Sequence, residues 1–396
     1  MKVLLAHNFY QMSGGEDTVV KEEINLLKKN GIKVVEYYIS NNDIKIDQFM
    51  EKVKLGINTI WSHNQYKKMK DIIGREKPDV VHFHNTFPLL SPSVYYACKN
   101  MGIPVVQTLH NYRLACPGGM LLREDMVCEN CIKGSLLNSI KYGCYRHSRV
   151  QTVPLSTMLY THRVLGTWNN KVDKYIALTH FAKAKFTETG LDSGKIVVKP
   201  NFIQKTSKEI ALKGKENRIV FVGRISKEKG LHLLLKAWKN VHLESNATLD
   251  IIGEGPLREE LETMYGHQDS VKFHGRLDTK DVLGYMSKAK YVVVPSLWYE
   301  GFPMTIIESY SVNTPVISSN IGSLKEVVIN DVTGFHFENN NISDLEKVLK
   351  KALSFSNYNE LQKNVQREFS ANYTENANLK TLIDIYSEVI GREKDE

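Results

Sequence analysis

The chain opens with an apolar run over residues 2–7, then a loop bearing Gly14 and Gly15, then a helical pattern over 16–30 closed by Gly31. Strand, glycine loop and helix in that order begin a βαβ unit. This feature constrains the fold most, because parallel strands can be joined only by long crossovers, usually helical. Further strands are expected at 32–39, 79–83, 104–109 and 174–178, with helical stretches between them, one of which runs over 91–99. Around Lys199-Pro200-Asn201 the pattern breaks into a polar stretch that ends near Asn217, and a second series follows at 218–222, 247–252, 271–274, 290–295 and 314–318. The fold class is therefore α/β, with two doubly wound parallel sheets in series and a linker between them. Residues 1–200 make the first domain, 201–373 the second, and 374–396 a terminal helix.

The composition agrees. At roughly 150 residues per domain, 396 residues fit two or three domains, and 42% apolar with 24% charged residues excludes disordered, collagen-like and low-complexity chains. No run approaches 18 apolar residues and the N-terminus lacks a signal-peptide pattern, so a cytoplasmic protein is expected. The net charge of +8 is too diffuse to point to nucleic acid. It would assist approach to a phosphate-bearing substrate or an anionic membrane surface. Between residues 45 and 77, Lys52, Lys54, Lys67, Lys68, Lys70 and Arg75 interleave with Trp61, Tyr66 and Ile72. That segment reads either as a solvated face or as a peripheral contact with the inner face of a membrane.

Two loops of the second half carry residues suited to chemistry. After its first strand comes Gly223-Arg224-Ile225-Ser226-Lys227-Glu228-Lys229-Gly230. Taken alone this is a solvated turn, but it also places the fork of Arg224 and the compact charge of Lys229 at a strand's carboxyl end, where a departing diphosphate gathers negative charge. After the strand ending at Pro295 comes Glu300-Gly301-Phe302-Pro303-Met304-Thr305-Ile306-Ile307-Glu308. Pro303 suits a first helical turn, which would leave the N–H groups of Met304 and Thr305 free for an anion. Glu308, about one and a half turns on, could take both hydroxyls of a ribose, and Glu300 could take sugar hydroxyls. No Asp-x-Asp pair follows a strand, so the cations are expected to replace a divalent metal in the transfer.

Glu300 and Glu308, with seven residues between them, together with Gly223-Arg224 and Lys229-Gly230, resemble the donor site of the retaining glycosyltransferases of family 4, which have the GT-B fold of two Rossmann-like domains facing across a cleft. Ser13-Gly14-Gly15, Asp79-Val80-Val81-His82-Phe83-His84-Asn85 and Thr108-Leu109-His110-Asn111-Tyr112-Arg113 resemble that family's first-domain motifs, so the likeness covers nearly the whole chain. It implies transfer of a sugar from a nucleoside diphosphate sugar to a hydroxyl of a glycan or lipid-linked glycan acceptor, with retained configuration and with the leaving phosphate taking the acceptor's proton. His110, Arg224, Lys229 and Glu300 would serve the reaction. Gly15, Gly223, Phe302, Met304, Thr305 and Glu308 would complete the donor site, with Gly322 and Ser323 nearby. Gly14, Asn85, Thr86, Asn111, Tyr112 and Arg113 would face the acceptor, and His84 would sit on the neighbouring strand. The family's last helix returns to the first domain, so hinges are implied at the linker and before that helix. A sugar-nucleotide epimerase of the same fold, or a non-catalytic nucleotide-binding protein, are the alternatives.

A final motif lies outside that resemblance. Cys116, Cys128, Cys131 and Cys144, separated by 11, 2 and 12 residues, fall in an insertion over 113–147 that has little material for a core of its own. One Cys-x-x-Cys knuckle with a cysteine on either side suits a structural zinc ion. An iron–sulfur cluster, two disulfides and four free thiols remain open at this point.

Overall fold

The computed structural model describes residues 1–11, 14–44, 49–204 and 214–395. Ser13, the start of the basic 45–77 segment and the middle of the expected linker lie outside them. The chain forms two compact units: residues 1–121, 128–201 and 376–396 in one, residues 122–127 and 202–375 in the other.

The first unit is built on β1 (Lys2–Phe9), β2 (Lys33–Ser40), β3 (Val80–Phe83), β4 (Val105–Leu109), β7 (Lys174–Ala177) and β8 (Ile196–Val198), in the order β2-β1-β3-β4-β7-β8, with every pairing parallel. Strands β3, β4 and β7 are buried along their full length, as a parallel sheet covered on both faces requires. The helix Gly15–Lys29 lays Val20 and Ile24 on Leu5. The last helix, Glu375–Asp395, sets Leu382, Ile385, Tyr386 and Val389 among Val3, Val80, Val106 and Ile176. Lys174 on β7 pairs with Glu388 of that helix at 3.0 Å.

In the second unit, β9 (Glu216–Val222), β10 (Thr248–Ile252), β11 (Val271–Gly275), β12 (Ala289–Val294), β13 (Val316–Ser319) and β14 (Gly334–Phe337) run in the order β11-β10-β9-β12-β13-β14, again all parallel. The helix Leu231–Ser245 buries Leu234, Trp238 and Val241 in a core that includes Leu345 and Leu349 of the helix Ile342–Leu353. The strand order reverses at β9 and β12, which opens a crevice at their carboxyl ends.

Four short strands go beyond the alternation read from the sequence. The short strands β8 and β14 each finish a sheet at an edge, and β5 (Leu122–Arg123) pairs antiparallel with β6 (Met126–Val127) inside the cysteine-bearing segment. That hairpin groups with the second unit, and Asp125 at its tip forms an ion pair with Lys227.

Candidate active site

The loop after β9 and the loop after β12 meet at the reversal point of the second sheet. Gly230 makes the meeting possible: it holds φ +71°, and a Cβ there would lie 1.9 Å from the carbonyl oxygen of Pro295. Leu297 N–H donates to Glu228 O at 2.8 Å, so the two loops are joined through backbone. Lys229 Nζ then reaches Glu300 Oε1 at 2.6 Å. The same oxygen accepts from Ser296 Oγ at 2.7 Å and from Trp298 Nε1 at 3.2 Å, while Ser323 Oγ donates to Glu300 O at 2.6 Å. Glu300 is thus fixed by four donors at a nearly buried position, and a cation stands beside it. Ser323, expected to offer backbone to the nucleotide, has its hydroxyl committed to this support.

Gly253-Glu254-Gly255, on the loop after β10, underpins the first of these loops. A Cβ on Gly253 would lie 1.9 Å from Gly223 O, and Ile225 N–H donates to Glu254 O at 2.8 Å. The glycines let the two strand-end loops touch backbone to backbone, which leaves Arg224 exposed at the rim.

The second glutamate loop departs from expectation in detail. Pro303 is the residue before the helix Met304–Ser311 and not part of its first turn, and Met304 N–H donates to Phe302 O at 3.0 Å. Met304 therefore offers no free N–H to an anion. Phe302 is buried, with its ring 6.3 Å from that of Tyr373. Glu308 is partly exposed on the same helix as Thr305, and burial holds its carboxyl above the usual carboxylate range.

In the first unit, the carboxyl ends of β1, β3 and β4 bring together a charged core that sequence reasoning missed. Glu23 of the helix Gly15–Lys29 is 1% exposed, yet Lys199 Nζ lies 2.9 Å from it, His84 Nε2 3.1 Å and His82 Nδ1 3.3 Å. Burial alone would raise the Glu23 pKa, but Lys199 and then the imidazoles overcome it and hold the carboxyl well below the usual range. His82 is anchored by Tyr386 Oη at 2.7 Å and Thr108 Oγ1 at 2.8 Å. His84 Nδ1 is 2.8 Å from His110 Nε2. Burial, and then His84, hold His110 well below the usual imidazole range, and Nδ1 is its ring nitrogen not engaged by His84. Near it, His7 Nε2 pairs with Asp17 Oδ1 at 2.8 Å, and burial lowers His7 to about 4.

Glu16, the residue after Gly14-Gly15, accepts from Asn111 Nδ2 at 3.4 Å, and burial followed by the charge of Asp17 pushes its carboxyl up to about 8. Asn111 also donates to Tyr10 Oη at 3.1 Å. An acidic pair directly after a glycine loop was the signal available in the sequence. Gly14 precedes the helix with extended backbone, and a Cβ on either glycine would meet nothing within 4 Å, so that loop has open space above it.

The expected acceptor residues divide. Asn85, Thr86, Asn111 and Arg113, together with His110 expected to serve the reaction, line one cavity of about 40 Å³, room for a few waters and not for a sugar ring. Asn85 is committed to Asn8 O at 2.8 Å and to Phe87 N–H at 3.0 Å, while Arg113 donates to Pro117 O at 2.6 Å and lies over the rings of Phe87 and Tyr145. Tyr112 corrects the expectation outright: it is 1% exposed and stacks on Phe186 at 5.7 Å, so it belongs to the core.

The cysteines gather as a group. None of Cys116, Cys128, Cys131 and Cys144 is in a disulfide, and the Cys131 thiol is pushed up to about 12 by burial and then by Cys116, Cys144 and Cys128.

Residues 13–206 match the model of Glycosyltransferase Family 4, and residues 202–371 match that of Glycosyl transferases group 1. The chain belongs to glycosyltransferase family 4. This glycosyltransferase is 28% identical over 391 residues to an uncharacterized glycosyltransferase of Methanocaldococcus jannaschii, covering 94% of each chain. It is 24% identical to the Escherichia coli UDP-Gal:alpha-D-GlcNAc-diphosphoundecaprenol alpha-1,3-galactosyltransferase, over 93% of this chain and 89% of that one. Sucrose-phosphate synthase from Thermosynechococcus elongatus superposes with a TM-score of 0.69 at 17% identity, over 99% of this chain and all of that one. The glycosyltransferase thus has the GT-B fold, and its two parallel six-stranded sheets are the two halves of that fold.

Proposed function

We propose that the glycosyltransferase moves a sugar from a nucleoside diphosphate sugar to a hydroxyl of a glycan or lipid-linked glycan, with retention at the anomeric carbon and without a divalent metal. The observation that carries this reading is the pairing of Lys229 with Glu300 at the reversal point of the second sheet. Lys229 and Arg224 bind the diphosphate and stabilise the charge that grows on it as the glycosidic bond breaks. Glu300, prefixed by Ser296 and Trp298, holds hydroxyls of the transferred sugar, and Glu308 holds the ribose. His110 offers Nδ1 to a sugar hydroxyl. The leaving phosphate receives the acceptor's proton, so the protein contributes position and charge and no nucleophile. The galactosyltransferase relative is named for UDP-Gal, which supports a uridine nucleotide as the donor.

Ligand-observed NMR with UDP-, GDP- and ADP-sugars in the presence of EDTA is expected to show binding of one class, and the product formed with acceptor should keep the donor's anomeric configuration. Arg224→Ala and Glu308→Ala should each weaken nucleotide binding about ten-fold or more in a folded protein, since a lost charge-assisted contact is worth ~1.5–3 kcal/mol. Conversion of the donor sugar with no acceptor present would make the protein an epimerase, and binding without turnover would make it a nucleotide-binding protein.

We also infer that the first unit rests on an anionic membrane surface. Helix Phe49–Ile60 leaves Met50, Val53 and Ile57 exposed along one face, with Lys52 and Lys54 beside them. It packs against the helix Arg149–Val164, where Pro154 Cγ would touch a Cβ on Gly56 at 3.1 Å, and that helix exposes Val150 and Val153. No helix among the described residues is long and apolar enough to cross a membrane, so this contact would be peripheral. Cosedimentation with vesicles containing phosphatidylglycerol should fall roughly ten-fold for Met50→Glu with Ile57→Glu, on the order of 1.4 kcal/mol. Equal binding to neutral vesicles, or none to either, would count against it.

A further inference from the structure

The segment from Cys116 to Cys144 has no part in the transfer just described, and it has little with which to hold itself together. Of its aliphatic side chains only Leu121 and Leu136 are buried, and Leu121 takes φ +50°, a region that disfavours leucine. The backbone nevertheless presents each thiol from a fixed turn. Gly119 N–H donates to Cys116 O at 2.8 Å, Cys128 N–H to Leu121 O at 2.8 Å and Cys144 N–H to Ser139 O at 3.0 Å, while Cys131 rides on the short helix Asn130–Lys133. Gly118 is wedged among them: a Cβ there would sit 3.6 Å from Cys116 Sγ and 3.7 Å from Cys144 Cβ.

The surroundings supply a second, independent observation. Arg163 of the helix Arg149–Val164 is close enough to Cys131 for their charges to interact. Its Nη2 donates to Leu114 O at 3.0 Å, its Nε is buried without a partner, and no carboxylate among the described residues pairs with it. A guanidinium beside Cys131 with no carboxylate paired to it lacks a counter-charge, and its buried Nε makes that costly. Four thiolates around a divalent ion carry two net negative charges and supply one.

We propose that Cys116, Cys128, Cys131 and Cys144 bind one structural zinc ion, with Arg163 as the counter-charge of the tetrathiolate site. Binding releases four thiol protons and stabilises a segment that has almost no apolar core. Among the described residues only Glu23, His82 and His84 place three candidate ligand atoms within 4.8 Å of one another. There Lys199 already provides the positive charge, and both His82 nitrogens are engaged by Tyr386 and Thr108. The cysteine sulfurs stand further apart than that, so the ion draws them in to zinc–sulfur distances of about 2.3 Å.

Full-length protein purified without chelator is expected to carry about one zinc per chain by elemental analysis. X-ray absorption should show a shell of sulfur only. Ellman's reagent should find the four thiols protected until a strong chelator is added, after which they react together; buried Cys98 gives the background. Cys131→Ser should lose the ion and Cys98→Ala should keep it. Iron in place of zinc, no metal with four freely reacting thiols, or zinc retained at full occupancy in Cys131→Ser would overturn the proposal. The thiol and absorption measurements need only the wild-type protein, so a variant that fails to fold does not shield it.

Discussion

Lys229→Ala is expected to lower kcat with the nucleotide sugar about 100-fold or more, the usual cost of removing a donor aimed at charge that develops in the transition state. The effect should fall mainly on kcat, because the ammonium's contact strengthens as the diphosphate leaves. Glu300→Gln should keep the support of Ser296 and Trp298 while losing the attraction that aims Lys229. Its loss and that of Lys229→Ala should therefore combine to less than their sum, as expected of residues in direct contact. Steady-state kinetics on variants with unaltered circular dichroism provide the check. A folded Lys229→Ala enzyme within two-fold of wild-type kcat would remove Lys229 from the reaction.

The second large effect concerns stability. Lys199→Met leaves the buried Glu23 carboxylate without its cation and should cost ~3–5 kcal/mol, seen as a fall in the unfolding midpoint of the first unit. Replacing both partners, as Glu23→Gln with Lys199→Met, should restore most of that loss, because no uncompensated charge remains. The pH dependence separates the cases. In the wild type the folded Glu23 pKa is depressed, so its contribution is present above the unfolded value of about 4.3 and is lost only as pH falls through the lower folded value. Without Lys199, burial raises the folded pKa, the folded state binds the extra proton, and the deficit should shrink as pH is lowered from neutrality toward 5. A deficit independent of pH would mean that Lys199 acts through packing alone.

Much of the architecture could be read from residue order, because glycine loops between apolar runs and amphipathic helices state a βαβ crossover locally. The loops after β9 and β12 were legible for the same reason: Gly230 and Pro303 mark their turns within a few residues of the charges they place. Strands β8 and β14 escaped notice because three or four residues at a sheet edge make too short a run to show a period. Tyr112 was read as a loop residue since its sequence neighbours are polar, and only the fold shows Phe186 lying beneath it. Glu23 and Lys199 lie 176 positions apart, and nothing in either segment announces the other. Glu23 looks like one more helix carboxylate until the carboxyl end of β3 puts the imidazoles of His82 and His84 against it.

The terminal helix has a consequence for how the molecule is made. Residues of Glu375–Asp395 finish the core around Val3, Val80 and Val106, and Tyr386 is the partner of His82. As synthesis proceeds from the N-terminus, the first unit therefore emerges early but waits, with that apolar face uncovered, while the whole of the second unit is translated. The second unit has its sheet complete, at Phe337, well before the helix Glu375–Asp395 is made. The half made first is the last to be finished, and the interval between is when a chaperone would be needed to cover that face.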